Sequence, residues 1–113
     1  MGFAEDVKAK INESLNGRIK SAEEAVSKME TTQTQCVTDA ASTKLDLMIL
    51  RKTPVGQSNA ERSAKEASMQ AKLRQWQDQY TKAEQDLGTS KKDLSMYQGI
   101  RTDLQKGALQ LIA

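Results

Sequence analysis

Apolar residues recur in this chain at alternating intervals of three and four, along two stretches of similar length with the only proline between them. In the first stretch Ile19, Val26, Gln33, Ala40 and Leu47 lie seven residues apart, with Ala22, Met29, Cys36, Thr43 and Leu50 three residues behind. In the second, Tyr80, Leu87, Leu94, Arg101 and Ala108 form one row; Trp76, Ala83, Ser90, Tyr97, Leu104 and Leu111 form the other. An α-helix turns once in 3.6 residues, so each pair of rows occupies one helix face. A stripe held this long predicts helices packed along their length, close to a coiled coil.

The break between the arms is well marked. Pro54 removes a backbone donor and pushes Thr53 out of the α region, while Gly56 tolerates positive φ. Ser58-Asn59-Ala60-Glu61 then has the form of a capping box, which starts the second helix at Asn59. A single domain over 1–113 follows, with arm one at about 3–52, a turn at 53–58 and arm two at about 59–111.

The fold class expected is all-α, an antiparallel helical hairpin. With 37% hydrophobic and 4% aromatic residues the chain is poor material for a sandwich or barrel. The alternative is a compact three- or four-helix bundle, which arises if Asn16-Gly17 and Gly88 break the arms. A turn centred near residue 55 pairs positions that sum to about 110, placing Cys36 near Leu73, Met29 near Tyr80 and Leu15 near Leu94. The stretch Glu30-Thr31-Thr32-Gln33-Thr34-Gln35 is weak for a helix interior.

Nothing in the composition favours catalysis. Histidine is absent, which removes the commonest general base, metal ligand and pH switch. A lone cysteine, Cys36, builds neither a zinc site nor an intrachain disulfide, and at a seam position it reads as a small buried hydrophobe. Carboxylates such as Glu23, Glu24, Glu84 and Asp86 read as solvated helix charges. No catalytic residue, cofactor site or metal site is assigned, and the chain is read as a non-enzyme. Trp76 and Tyr80, one turn apart on the seam, read first as an aromatic core step and second as a partner anchor. Gln33, Thr43, Ser90 and Arg101 are polar seam residues that either fix register or leave the seam loose.

Two clusters hold more apolar surface than one seam uses. Leu45, Leu47, Met48, Ile49 and Leu50, with Val55, lie at the tip. Ile100, Leu104, Ala108, Leu109, Leu111 and Ile112 lie at the open end, beside Phe3 and Val7. Helices apolar on most sides are buried against more than one neighbour. The partner-binding candidates are therefore Leu45, Met48, Ile49, Val55, Ile100, Leu104, Leu109 and Ile112. A row of small residues, Thr81, Gly88, Ser95 and Thr102, runs beside the seam and reads first as an ordinary solvated face.

Charge separates weakly between the arms. Residues 1–50 carry 6 basic and 8 acidic groups, and residues 51–113 carry 11 and 7, for a net +2 overall. The basic residues of arm two scatter around the helix among acids, which disfavours nucleic acid as a partner. No apolar run approaches the ~18 residues of a membrane span. The first residues lack the basic region and apolar stretch of a secretory signal, so the chain reads as cytoplasmic at synthesis, with signal-less export open.

The stretch from Met96-Tyr97 to Lys106-Gly107-Ala108, ending in Leu-Ile, resembles the polymerising C-terminal helix of type III secretion needle and inner-rod subunits over fewer than 20 residues. The length and helical-hairpin plan are similar to the small secreted proteins named for a Trp-x-Gly turn; here Trp76 lies inside arm two, and the turn has Pro54 and Gly56 instead. The expectation drawn is a helical assembly or interaction protein whose partner is another helical protein or a copy of itself. Its concrete form is a subunit or small chaperone of a bacterial secretion or filament assembly. The alternative is a phage or nucleoprotein component touching nucleic acid through arm two.

Overall fold

The computed structural model describes residues 2–53 and 58–107. It is all-α, with α1 at Phe3–Lys52 and α2 at Asn59–Gln105 packed antiparallel as a helical hairpin. Both helices run unbroken through Asn16-Gly17 and Gly88, so the three- or four-helix alternative does not hold. Glycine costs a helix interior about 1 kcal/mol relative to alanine. Side-chain burial on the neighbouring turns offsets that cost here, with Leu15 and Ile19 both buried on either side of Gly17.

The ends of the helices follow from local chemistry. The Glu61 amide donates to Ser58 Oγ at 3.2 Å and the Arg62 amide to the Ser58 carbonyl at 3.1 Å, so Ser58 caps α2 from both its side chain and its backbone. At the other end Gly107 takes φ 80°, the left-handed residue that commonly follows a helix, and its amide reaches the Leu104 carbonyl at 3.1 Å. Helix α2 therefore ends at Gln105, Lys106 and Gly107 form a turn, and residues 108–111 of the expected arm fall outside the described residues, as does the turn at 54–57.

The polar stretch inside α1 satisfies itself. Thr34 Oγ1 donates to the Glu30 carbonyl at 3.0 Å and Thr38 Oγ1 to the Thr34 carbonyl at 3.1 Å. Gln35 Nε2 donates to Asp39 Oδ1 at 3.0 Å across one turn. These bonds tie hydroxyls and amides into the helix that would otherwise compete with it.

The chain divides into two compact units. One joins Met1–Lys28 to Asp86–Ala113, and the other is Met29–Gln85. The first is organised around Leu15, Ile19 and Leu104, with Ile11, Leu94 and Tyr97 packed against them. In the second, Leu47 is 1% exposed, and Cys36 and Ala83 are also buried. All ten seam positions of α1 are buried or half-buried, and so are the described seam positions of α2 except Tyr80, which sits at 37% exposure.

Within the second unit, the cross-helix pairs Cys36–Gln79 and Thr53–Arg62 occupy positions that sum to 115, and Arg51–Glu66 to 117. That exceeds the expected 110 by more than one helical turn. The helix ends themselves, Lys52 and Asn59, sum to 111. Side chains lean toward the N-terminus of their own helix, and in an antiparallel pair the two leans are opposed. Tips that meet therefore belong to Cα atoms offset along the axis, which raises the sum by about two to four residues.

Candidate interaction surfaces

At the tip, two polar contacts tie α2 to the end of α1. Arg62 Nη2 donates to the Thr53 carbonyl, and Arg51 Nε lies 3.5 Å from Glu66 Oε1. Below them Asp46, Ile49, Leu50, Thr53, Arg62, Lys65 and Met69 line a groove of about 240 Å³. The Arg62 guanidinium brings positive charge to the carbonyl end of α1, where the helix dipole is negative.

Further along the same unit, Cys36, Val37, Ala40, Leu73, Trp76, Gln77 and Tyr80 line a shallow apolar groove of about 360 Å³. Cys36 Sγ sits 4.0 Å from Gln79 Oε1, and the thiol is buried. Trp76 Nε1 is buried without a hydrogen-bond partner in the chain. Trp76 is thus half-buried against the seam, while Tyr80 stands at its edge. Both readings of this aromatic step retain something.

In the other unit the seam is under-filled. Ser90 lies on it, and Ser14, Gly17, Ser21, Ala22, Ala25 and Ser90 are among the residues lining a groove of about 550 Å³. Small side chains of α1, facing Ser90, Asp93 and Tyr97 of α2, leave that space open. The row Thr81, Gly88, Ser95 and Thr102 is exposed, as the solvated-face reading expects.

Of the residues expected to bind a partner, Leu45, Met48 and Ile49 are 56%, 49% and 54% exposed, and Ile100 is 42% exposed. Leu104 is instead 6% exposed in the core of its unit, so it holds the hairpin together and is not open to a partner. Val55, Leu109 and Ile112 lie outside the described residues, as do the seam positions Ala108 and Leu111.

The structure adds Val37, at 56% exposure, and Met96 and Phe3, which are also exposed. Val37 had a sequence signal: it begins a second run with Ala41, Leu45 and Met48 at intervals of four, four and three. Threonines on either side disguise it. That run lies off the seam, so one stretch of α1 carries two apolar faces, one buried and one exposed.

Among the described residues no helix is long and apolar enough to cross a membrane, and no group of three acidic, cysteine or histidine side chains is placed to hold a metal ion. No protein-family model, curated protein or solved structure matches the chain.

Proposed function

We propose that the chain is a non-enzymatic helical assembly module, whose work is to dock against another helix of its own kind or of a partner protein. The single observation that carries this reading is the exposed run of Val37, Leu45, Met48 and Ile49 on α1, apolar side chains that the seam leaves uncovered. An unpaired apolar face at helical spacing is matched by another helix, because only a helix presents apolar groups at that period. A hairpin also leaves each helix with one neighbour, and so buries little for its length. Association supplies the second neighbour.

The concrete form is a subunit or small chaperone of a bacterial secretion or filament assembly. It rests on the likeness of the C-terminal stretch to needle and inner-rod subunits and on the exposed apolar face. Mass by light scattering across concentration tests the reading. The expected result is a mass above 12.5 kDa that moderate salt leaves unchanged. Retention on DNA or RNA that falls steeply with salt would support the nucleoprotein alternative instead.

A further inference from the structure

We propose that the exposed face of α1 pairs with the same face of a second copy, antiparallel and two-fold symmetric, with Ala41 on the axis. This rests on the assembly reading above and names the occupant of its surface. The face consists of Val37, Ala41, Leu45 and Met48, with Ile49 at its edge. At 3.6 residues per turn Ala41, Leu45 and Met48, together with Glu30, Thr34 and Lys52, fall on the side of the helix away from Cys36, Thr43 and Leu47, while Val37 borders the groove that it shares with Cys36 and Ala40.

The pattern is complementary to itself when reversed. Glu30 and Lys52 stand eleven residues on either side of Ala41, within about 20° of its direction around the helix and about 16 Å from it along the axis. Reversal places Glu30 of each copy within about one turn of Lys52 of the other, a gap the opposed leans leave and these long side chains span, so the pair forms twice. The same operation sets Val37 against Leu45 and the Met48 side chain against Thr34. Ala41 meets itself, and its small side chain lets the two backbones approach. A parallel pairing in register would instead set Glu30 against Glu30 and Lys52 against Lys52, which like charges oppose. An unrelated helix needs no such mirrored charge about a small central residue. A second copy does.

Charge reversal tests this directly, because Glu30, Ala41 and Lys52 are exposed and their substitution leaves the seam untouched. By sedimentation equilibrium, Glu30→Lys or Lys52→Glu alone should weaken dimerisation at least about fivefold, since each converts two attractive contacts to repulsive ones. The double variant Glu30→Lys/Lys52→Glu should recover the wild-type constant to within about twofold, a rescue that misfolding cannot imitate. Oxidised Ala41→Cys should give a disulfide-linked dimer where the wild type, with Cys36 buried, does not. If association persists equally in every variant and Ala41→Cys gives no crosslink, this face is not the interface, although assembly itself stands. If the wild type stays at 12.5 kDa at all concentrations, the dimer is excluded and a different helical partner is what remains of the assembly reading.

Discussion

Arg62, in the first turns of α2, donates a hydrogen bond to the carbonyl of Thr53, the residue that follows the last turn of α1. The contact satisfies a backbone acceptor at a helix end and places a cation at the negative pole of that helix. Thr53 is held from below as well, since its Oγ1 donates to the Ile49 carbonyl at 2.7 Å. Removing the guanidinium leaves the carbonyl to water and releases the tip. Arg62→Met should lower stability by about 0.5–1.5 kcal/mol, the usual net worth of one hydrogen bond. Arg62→Lys should recover part of that loss, because it keeps the charge without the planar fork. Urea unfolding followed by circular dichroism reads both. An unchanged midpoint for Arg62→Met would mean that the contact contributes nothing.

The helical glycines offer the opposite sign. A Cβ built on Gly17, Gly88 or Gly99 meets nothing within 4 Å, so alanine enters without a clash. Each replacement should raise stability by about 0.5–1 kcal/mol, through helix propensity and a less flexible unfolded chain. Gly107→Ala has equally open space but forces alanine to φ 80°, and it should lose stability by about 1 kcal/mol. Thermal melts of the four variants check the contrast, at about 4–8 °C for each kcal/mol in a domain near this size.

Ser90 separates the two roles open to a polar seam residue. In the groove beside it, Ser90, Asp93 and Tyr97 of α2 face Ser14, Gly17, Ser21, Ala22 and Ala25 of α1, with Arg18 on the same wall. If Ser90 marks only a loose place, Ser90→Leu fills that space and should add about 1 kcal/mol through buried apolar area. If instead the residue sets which turn of α1 faces which turn of α2, the leucine permits slippage. Loss of cooperativity in the melt would then be the result. The open groove favours the first outcome.

The seam was readable because nearly all of its positions obey one rule: Ile19, Ala22, Cys36, Leu47, Ala83 and Leu104 recur at three and four and are buried. The start of α2 was equally plain, because Ser58 and Glu61 sit at the offset a cap requires. The register between helices was legible only coarsely: Cys36 and Leu73 line one groove and Leu94 packs on the core of Leu15, as counting from the turn expects, but opposed leans bring the Cys36 tip to Gln79. Leu104 shows a second limit. It belongs both to a seam row and to an apolar circumference, and only packing against Leu15 and Ile19 decides that it faces inward. Val37 escaped notice for the converse reason: its own run of fours and threes was interleaved with threonines that bond back to the helix.

Met48 and Ile100 now stand for two rival surfaces. Both side chains are close to half exposed, Met48 on the outer face of α1 in one unit and Ile100 on α2 in the other. An aspartate at either position remains at the surface of the isolated chain, so neither substitution should change stability by more than about 0.5 kcal/mol. Their effects on association should differ. With the α1 face as the interface, Met48→Asp places a carboxylate beside Leu45 and against Thr34 and Val37 of the second copy. Exchanging an apolar contact for a charged group that must lose its water weakens a small interface, even with Lys44 and Lys52 one turn away. Ile100→Asp should leave the mass unchanged, because its surface takes no part in that pairing. The reverse pattern, with Ile100→Asp monomeric and Met48→Asp still associated, would transfer the assembly surface to the unit built around Leu15 and Leu104 and remove Ala41 from the axis.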